Sequence, residues 1–204
     1  MADFWIEKRI VKKGFRAIAG VDEAGRGALF GPVVAASVIL PLSLIKGKEE
    51  AWIKKVNDSK LLSPLQRSRL AKYILAQATS VGIGLATNEE IDRQNIYWAS
   101  LTAMKRAVSN MTVYPDFLLV DGFCLNSVNY PQIGLPKGDK KSITIAAASI
   151  IAKVLRDRKM LQLDKIYEGY ALGKNKGYGT KEHYAALKKR GPCAWHRMSF
   201  NLKH

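Results

Sequence analysis

Two apolar runs enclose a short acidic, glycine-rich segment near the start of this chain, and this arrangement constrains the fold more than any other feature. Residues 18–21 and 32–40 are rich in β-branched side chains and are separated by glycines. Such runs predict two short strands joined by a turn. The second run is apolar at nearly every position, so we expect both faces of that strand to be buried. A strand of this kind needs further elements above and below it.

The rest of the pattern predicts strands that alternate with helices. Ser63 and Pro64 open one helical segment, and Ser142 opens the clearest stripe of apolar residues at helical spacing. Weaker patterns predict strands at 81–86 and 115–121, and helices at 88–108, with a break, and at 181–190. The 204 residues suffice for one well-filled core. Together these patterns predict an α/β domain with a mixed sheet and helices on its faces.

The chain is strongly basic, with 33 Lys and Arg residues against 17 Asp and Glu residues and a net charge of +16. Residues 1–136 carry a net charge of +5 and residues 137–204 carry +11, so most of the excess lies in the last third. A solvated face would explain a run of charge. Glycines and aromatic residues lie between these charges, however, and we favour contact with phosphates. The balance favours a nucleic acid over an anionic membrane as partner.

Several classes of protein are excluded by simple features of the sequence. No apolar run approaches the roughly 18–20 residues of a membrane span. The first residues lack the pattern of a secretion signal. Cys124 and Cys193 are far apart and do not have the spacing of a thiolate zinc site. We therefore expect a cytoplasmic protein with reduced cysteines and no membrane partner, and a monomer as the default for one compact domain.

The segment between the first two predicted strands carries Asp22 and Glu23, followed by Gly25 and Gly27. A dinucleotide-binding loop does not fit, because the third glycine is one position late and a strand follows instead of a helix. Two acids at a strand end suit a divalent cation, although acids in this position are often simply solvated. Neighbouring strand residues point to opposite faces, so the two acids can share a site only where the strand twists or bulges.

Three further aspartates stand at positions of interest. Asp121 is the last residue of the predicted strand at 115–121, and ligands in α/β sheets bind at such strand ends. An aspartate that initiates a turn would explain the residue equally well. Asp139 precedes the long helix and could be a surface residue paired with flanking lysines. Asp157 falls on the apolar stripe of that helix, so we expect a buried structural ion pair before a metal ligand. The carboxylates and the basic last third together fit metal-assisted phosphoryl chemistry on a nucleic acid.

Six stretches of the chain carry long, specific motifs. In order along the chain they are GVDEAGRGALFGPVVAASVIL, NDSKLLS, LLVDG, KGDKKSITIAAASIIAKVLRDR, GYGTKEH and HRMSF. With these motifs the chain resembles bacterial ribonuclease HII, a type 2 ribonuclease H family. The resemblance runs from about residue 17 to residue 200. It implies a ribonuclease-H-like fold, with a mixed five-stranded sheet flanked by helices and a helical C-terminal extension. Residues 1–16 match no motif, and we expect them to form a loosely attached N-terminal extension before a catalytic domain at 17–204.

The resemblance also implies an activity and its catalytic residues. Members of the family cleave the RNA strand of RNA–DNA hybrids endonucleolytically. They also cut on the 5′ side of single ribonucleotides embedded in duplex DNA, leaving 3′-hydroxyl and 5′-phosphate ends. The family's four acidic positions correspond to Asp22, Glu23, Asp121 and Asp139. They imply two Mg²⁺ or Mn²⁺ ions, with Asp22 between both, Glu23 and Asp121 on one, and Asp139 on the other.

The resemblance implies substrate contacts as well. The backbone of Gly25, Arg26 and Gly27 is implied to approach the 2′-hydroxyl, the group that distinguishes RNA from DNA. Tyr178 corresponds to the aromatic residue that packs at the DNA–RNA junction, whereas the residues alone would suggest a turn with a surface aromatic. Phosphate contacts are implied for Ser59, Lys60, Lys137 and Lys181.

Three other residues of the last third have roles that the sequence leaves open or indicates to be structural. Arg197 is either a phosphate contact or a structural ion-pair partner. His183 and His196 are expected to pack or form hydrogen bonds and not to bind a metal.

Two other functions compete with this prediction. A non-catalytic nucleic-acid-binding protein would explain the positive charge but not the acids at strand ends. A resolvase or transposase on the same fold would explain the acids but not the glycine-rich loops.

Overall fold

The computed structural model describes residues 2–48, 50–126 and 128–203, and its centre is one five-stranded sheet with the order β3-β2-β1-β4-β5. The strands are β1 (Ile18–Ala24), β2 (Val33–Ile39), β3 (Ser80–Ala86), β4 (Phe117–Asp121) and β5 (Gln132–Leu135). β2 is antiparallel to β1 and β3, while β4 is parallel to β1 and β5. The carboxyl ends of β1, β3, β4 and β5 therefore lie at one edge. The predicted mixed five-stranded sheet is confirmed.

Helices cover both faces of this sheet. The helices of the described residues are α1 (Trp5–Lys12), α2 (Leu42–Ile45), α3 (Pro64–Gln77), α4 (Asn88–Ser109), α5 (Ile143–Asp164), α6 (Leu172–Asn175) and α7 (Lys181–Arg190). Short 3₁₀ turns occupy Ile53–Lys55, Ser59–Leu61 and Gly138–Lys140. α5 packs on one face of β1 and β2, and α4 packs on the other. Every residue of β2 is buried, as its continuous apolar run predicted.

α5 approaches the sheet very closely. A Cβ atom at Gly20 in β1 would lie 2.2 Å from the backbone carbonyl carbon of Thr144. The next residues of α5 after Ile145 are alanines, and Ala146 and Ala147 are fully buried. These small residues place the first turns of α5 directly against the strand that carries Asp22.

α4 contains the break that the sequence predicted. Asn95 has φ 66° and ψ 165°, a left-handed conformation inside the helix. Its side-chain Oδ1 accepts hydrogen bonds from the backbone N–H groups of Tyr97 and Trp98, at 2.9 and 3.3 Å. Asn95 therefore acts as an N-cap for the second part of α4.

β5 is the strand that the residue pattern did not predict. It has four residues, none of them fully buried, so it carries little periodic signal. A Cβ atom at Gly134 would lie 2.8 Å from the backbone of Gly122 and of Cys124, because the loop after β4 folds over this strand. The fifth strand was expected only from the family resemblance.

The N-terminal segment is not loosely attached, and that expectation is wrong. Phe4 and Ile10 belong to the main hydrophobic core. The buried Glu7 side chain accepts hydrogen bonds through Oε1 from the Ser142 hydroxyl (2.6 Å), the Thr144 hydroxyl (2.8 Å) and the Thr144 backbone N–H (3.0 Å). α1 is thereby attached to the start of α5. The division of the chain into 1–16 and 17–204 remains a prediction.

The residues after α5 form the predicted helical C-terminal extension. Tyr170, Leu172 and Leu187 of this extension form a third hydrophobic cluster with Leu29 and Phe30, which lie between β1 and β2. The extension is thus packed against the same connection that carries the predicted substrate-reading glycines. Nowhere in the described ranges does a helix have the length and apolar character that crossing a membrane requires.

Candidate active site

Three carboxylates line one cleft where β1 and β4 end. The two strands are parallel neighbours with Val21 beside Val120, so the residues that follow, Asp22 and Asp121, emerge at the same edge. Both line a cleft of about 600 Å³, and Glu23 lines it with them. A slightly larger hollow of about 690 Å³, between α7 and the C-terminal residues 198–203, has no acidic side chain in its wall. The chemistry therefore belongs to the cleft at the sheet edge.

Asp22 and Glu23 reach the same cleft although they are consecutive residues of a strand. Asp22 Oδ1 accepts a hydrogen bond from the backbone N–H of Glu23 at 2.7 Å. Glu23 Oε1 accepts one from Arg26 Nη1 at 3.3 Å. The other oxygen, Glu23 Oε2, is buried and has no hydrogen-bond partner among the described residues. The chain then turns at Gly25, which has φ +99°.

Burial and mutual repulsion disfavour the charged forms of these acids. Burial first, and then the charges of Glu23 and Asp121, raise the pKa of Asp22 well above its ordinary value. Burial also raises the pKa of Glu23, against the lowering effect of the Arg26 charge. A positive charge among them would favour the deprotonated forms, so the group is suited to receive a cation.

Asp139 lies near these acids on the 3₁₀ turn Gly138–Lys140 and is 4% exposed. The backbone N–H of Gly138 donates to Asp121 Oδ1 at 2.6 Å, which attaches the turn to the end of β4. Burial, followed by the charges of Asp58 and Asp121, raises the pKa of Asp139. The alternative that Asp139 is a surface residue paired with flanking lysines is wrong, since it is buried and Lys140 pairs with Asp58 instead, at 3.8 Å.

This donor set fits a divalent cation whose coordination is completed by other ligands. In the part of the chain that the structure describes, no group of three or more His, Cys, Asp or Glu residues is arranged so that it could hold a metal ion. Mg²⁺ usually takes one or two carboxylates together with waters and substrate phosphates, and seldom an all-protein cage. Buried acids with raised pKa values, and the unpaired oxygen of Glu23, suit a site of that kind.

The predicted substrate-binding residues fall into two groups. The cleft is lined by Gly25, Arg26, Gly27, Ser59, Lys60 and Tyr178. Lys137 and Lys181 are exposed and do not line it. Burial alone would lower the pKa of Lys60, but the surrounding carboxylates, with Asp139 first among them, raise it above the ordinary value. Lys60 therefore remains a cation beside the acids.

Comparison with known proteins decides the family. The family model described as Ribonuclease HII matches residues 19–203. The chain belongs to the ribonuclease HII family. It is 50% identical over 194 residues to the Ribonuclease HII of Caldanaerobacter subterraneus subsp. tengcongensis, a match that covers 95% of this chain and 78% of that relative. Ribonucleases HII cleave RNA in RNA–DNA hybrids, and the chain is accordingly an endoribonuclease.

Solved structures of related ribonucleases have the same fold. The crystal structure of ribonuclease H2 from Pyrococcus horikoshii OT3 matches with a TM-score of 0.72 and 26% identity, over 91% of this chain and 94% of that one. The structure of Bst-RNase HIII in complex with Mn²⁺ matches with a TM-score of 0.65 over 92% of this chain and 68% of that one. Its identity of 21% supports the fold alone.

Three polar residues of the cleft are not predicted by the sequence, namely Arg67, Ser149 and Lys153. Lys153 Nζ donates to Asp157 Oδ1 at 2.8 Å, and Arg67 Nη2 lies 3.8 Å from Asp157 Oδ2. Asp157 therefore forms the expected ion pair, with cleft residues as its partners, but the pair is only part-buried and not buried as expected. The four-residue spacing of Lys153 and Asp157 on one helix was a usable signal. Arg67 comes from α3, so no local pattern could have revealed it.

A fully buried arginine joins the two glycine-rich loops of this family. The Arg156 side chain donates three hydrogen bonds to backbone carbonyls, from Nε to Pro32 (3.1 Å), from Nη1 to Lys176 (2.8 Å) and from Nη2 to Phe30 (3.1 Å). Its guanidinium carbon also lies 5.3 Å from the centroid of the Tyr178 ring. One side chain thus connects the loop after β1 with the loop that carries Tyr178.

A second buried arginine attaches the C-terminal segment to the same loop. Arg197 donates from Nε to the carbonyl of Gly31 (2.9 Å) and from Nη1 to the carbonyl of Arg26 (2.8 Å). It is fully buried and makes no salt bridge with any carboxylate of the described ranges. Both expectations for Arg197, a phosphate contact or an ion-pair partner, are therefore wrong. It holds the backbone of the Gly25–Gly27 loop.

The two buried histidines pack as expected. Their Nε2 atoms lie 3.1 Å apart, and His183 Nδ1 lies 3.0 Å from the carbonyl oxygen of Tyr178. Burial lowers the pKa of His183, and burial together with the His183 charge lowers the pKa of His196 to about 4. The pair supports the backbone of the Tyr178 loop through hydrogen bonds.

Proposed function

We propose that this chain hydrolyses the RNA strand of RNA–DNA hybrids, and that it also cuts on the 5′ side of single ribonucleotides embedded in duplex DNA. The products would be 3′-hydroxyl and 5′-phosphate ends. The observation that carries this proposal is the cleft itself. It combines Asp22, Glu23 and Asp121 with the Gly25–Gly27 loop and Tyr178. We expect the enzyme to act as a cytoplasmic monomer.

The residues proposed to hold two Mg²⁺ or Mn²⁺ ions are Asp22, Glu23, Asp121 and Asp139. Such ions supply an activated water and neutralise charge at the scissile phosphate. Asp22, which is buried and lies within the fields of both Glu23 and Asp121, would be the central ligand of this set. Asp139, on the turn attached to the end of β4, would complete it. No covalent enzyme intermediate is required.

The cations of the cleft are proposed to hold the substrate backbone. Lys60 and Lys153 line the cleft beside the acids and can bind phosphates of the substrate. Arg67 lines it as well, but it is buried and donates to the backbone carbonyls of Ser59 and Leu62, so we assign it a positioning role. Lys137 and Lys181 lie outside the cleft and would extend this contact along the duplex. The acids alone would repel a polyanion, so these cations are needed to place it.

The glycine loop and Tyr178 are proposed to select the ribonucleotide. No atom lies within 4 Å of where a Cβ of Gly27 would be, so a ribose can approach that backbone closely. Hydrogen bonds from this backbone to the 2′-hydroxyl would distinguish RNA from DNA. Lys153 Nζ and Arg156 Cζ lie 5.2 and 5.3 Å from the centroid of the Tyr178 ring and help to position it. This ring is proposed to pack on the sugar of the next nucleotide.

The test compares two DNA duplexes of the same sequence, one of which contains a single ribonucleotide. Incubation with Mg²⁺ or Mn²⁺ is expected to nick only the first duplex, on the 5′ side of the ribonucleotide, and EDTA is expected to abolish the nick. Equal cutting of both duplexes, or no cutting in either metal, would overturn the proposal. Mn²⁺ is a useful probe because a structure of Bst-RNase HIII contains it.

A pair of acid variants tests the proposed ligands. Asp22→Asn is expected to abolish cleavage while leaving duplex binding in EDTA largely intact, because the side chain keeps its size but loses its charge. Glu168→Gln changes an exposed acid outside the cleft and is the matched control. Cleavage by Asp22→Asn at the wild-type rate would show that the assignment of the metal ligands is wrong.

A further inference from the structure

Three aromatic side chains form an exposed cluster beside the loop that follows β4. Tyr97, Trp98 and Phe123 are 38%, 55% and 67% exposed. The Tyr97 ring centroid lies 5.1 Å from that of Trp98 and 6.5 Å from that of Phe123, at interplanar angles of 77° and 67°. Single exposed aromatics are common on protein surfaces, but a contiguous group marks a surface that binds something.

The backbone that presents this cluster is held in an unusual conformation. Asn95 occupies the left-handed region inside α4, and its side chain fixes the backbone N–H groups of Tyr97 and Trp98. The combination of φ 66° and ψ 165° is one that residues other than glycine rarely adopt, and it interrupts the helix. Strained backbone of this kind concentrates at functional positions. The break turns two adjacent aromatic residues outward at the same place.

A groove of about 410 Å³ lies beside Trp98, between α4 and the loop after β4. Its wall includes the amide side chains of Gln94 and Asn126 and the ammonium group of Lys105. Lys105 is exposed and forms no ion pair with any acid in the described part of the chain. Aromatic rings stack on bases, amides pair with base edges, and a free ammonium binds phosphate.

We propose that this cluster and groove bind a single-stranded nucleic acid segment whose bases are unstacked. Aromatic residues are also enriched at protein interfaces, but lysine is depleted there, so the lysine in the groove favours the nucleic acid. A fully paired duplex does not offer base faces to aromatic side chains, whereas a single strand does. Among the described residues, the wall of the groove contains Lys105 and no acidic side chain, which favours a polyanion.

The position of Phe123 links this surface to the cleft. Phe123 follows Asp121 by two residues on the same loop. The loop that carries Phe123 thus begins at an acid of the cleft, and the ligand that we propose is a hybrid that carries a single-stranded extension. The inference concerns binding only and needs neither a metal nor cleavage, so it stands or falls separately from the proposed function.

The experiment measures binding in EDTA by fluorescence anisotropy, with a blunt RNA–DNA hybrid and the same hybrid carrying a single-stranded extension. The wild type is expected to bind the extended hybrid about tenfold more tightly than the blunt one. Trp98→Ala and Phe123→Ala are expected to lose this gain while binding and cleaving the blunt hybrid as the wild type does. Trp98→Phe is expected to recover most of the gain, because it restores a ring that can stack.

Tyr114→Ala is the matched control, since Tyr114 is 66% exposed but precedes β4 and so lies at the opposite edge of the sheet. An extension that adds no affinity in the wild type would overturn the proposal. So would an equal loss of the gain in Tyr114→Ala, or a wild-type dimer in sedimentation that Trp98→Ala dissociates. If Trp98→Ala melts at a lower temperature than the wild type, the test uses Phe123→Ala, because Phe123 lies on a loop and not in α4. A chain that prefers the extended hybrid but cannot cut would retain this inference and lose the proposed function.

Discussion

Gly25 combines a backbone requirement with a packing requirement. Its φ is +99°, and a Cβ atom there would lie 2.0 Å from Arg156 Nε. Gly25→Ala is therefore expected to lower the free energy of unfolding by about 2 kcal/mol or more, since both the loop and the buried guanidinium must shift. Urea denaturation measures this loss. Gly27→Ala is the control, because its Cβ would meet nothing within 4 Å, and a comparable loss there would contradict the argument.

The buried position of Arg156 makes its hydrogen bonds costly to lose. Arg156→Leu leaves three backbone carbonyls without their donor, and we expect the free energy of unfolding to fall by about 3 kcal/mol or more. Arg106→Leu removes an exposed arginine that is paired with Glu90, and is expected to cost less than about 1 kcal/mol. Thermal and urea unfolding of the two variants check the difference. Equal losses would mean that the carbonyl contacts of Arg156 contribute little.

The lowered pKa of His196 predicts a loss of stability in acid. In the unfolded chain this histidine takes up a proton near its ordinary pKa of 6.5, whereas in the folded chain the pKa is about 4, because burial and then the His183 charge disfavour the cation. The stabilisation is therefore complete above pH 6.5 and is lost as the pH falls towards 4, by up to about 3 kcal/mol. His196→Asn is expected to flatten this part of the profile of unfolding free energy against pH. An unchanged slope would contradict it.

Among the elements, the short helix α1 stabilises the start of α5. Its Glu7 accepts three hydrogen bonds from Ser142 and Thr144 at the start of α5, just after the turn that carries Asp139. Glu7→Ala leaves these buried donors unpaired, and we expect the free energy of unfolding to fall by about 2–3 kcal/mol. Glu168→Ala, at an exposed position, is expected to change it little. Chemical denaturation of both variants distinguishes them, and equal values would show that α1 is dispensable.

The elements that the sequence predicted are those with a strong local period. β2 is apolar throughout, and α3 opens with Ser63, whose side chain caps the helix in the structure. β5 and α1 lack such signals, because β5 is half-buried and α1 is fastened by Glu7 across more than a hundred residues of sequence. The propensity of a segment depends on its local sequence, whereas the contacts that hold β5 and α1 form only once distant parts of the chain have come together.

The residues of the candidate site likewise include some that the sequence predicted and some that it did not. Asp22 and Asp121 could be proposed from their places at strand ends, since parallel neighbours bring such residues together. Asp139 required the family resemblance, because its burial comes from a turn packed on β4. Arg67, from another helix, had no signal at all.

At the scale of the whole molecule, the negative charges of the site are concentrated at one place and most of the positive charge lies elsewhere in the chain. The acids of the site are gathered at one sheet edge, where burial raises the pKa of Asp22, Glu23 and Asp139. Residues 137–204, by contrast, carry a net charge of +11. A polyanion is therefore attracted by the last third of the chain and repelled by the acids at the sheet edge unless cations are present. Binding without a divalent metal should consequently depend on the lysines around the cleft, and on salt.

Two double variants with the same change in net charge test whether binding depends on the position of the lysines. Lys137→Ala with Lys181→Ala removes two exposed lysines that are proposed to contact phosphates, whereas Lys12→Ala with Lys13→Ala removes two from the N-terminal region. Each phosphate contact contributes about 0.9 to the slope of log affinity against log salt concentration, so the first pair is expected to lower that slope by nearly 2. The second pair is expected to leave it unchanged. If both pairs lower the slope equally, net charge and not the placement of the lysines determines how this chain holds its substrate.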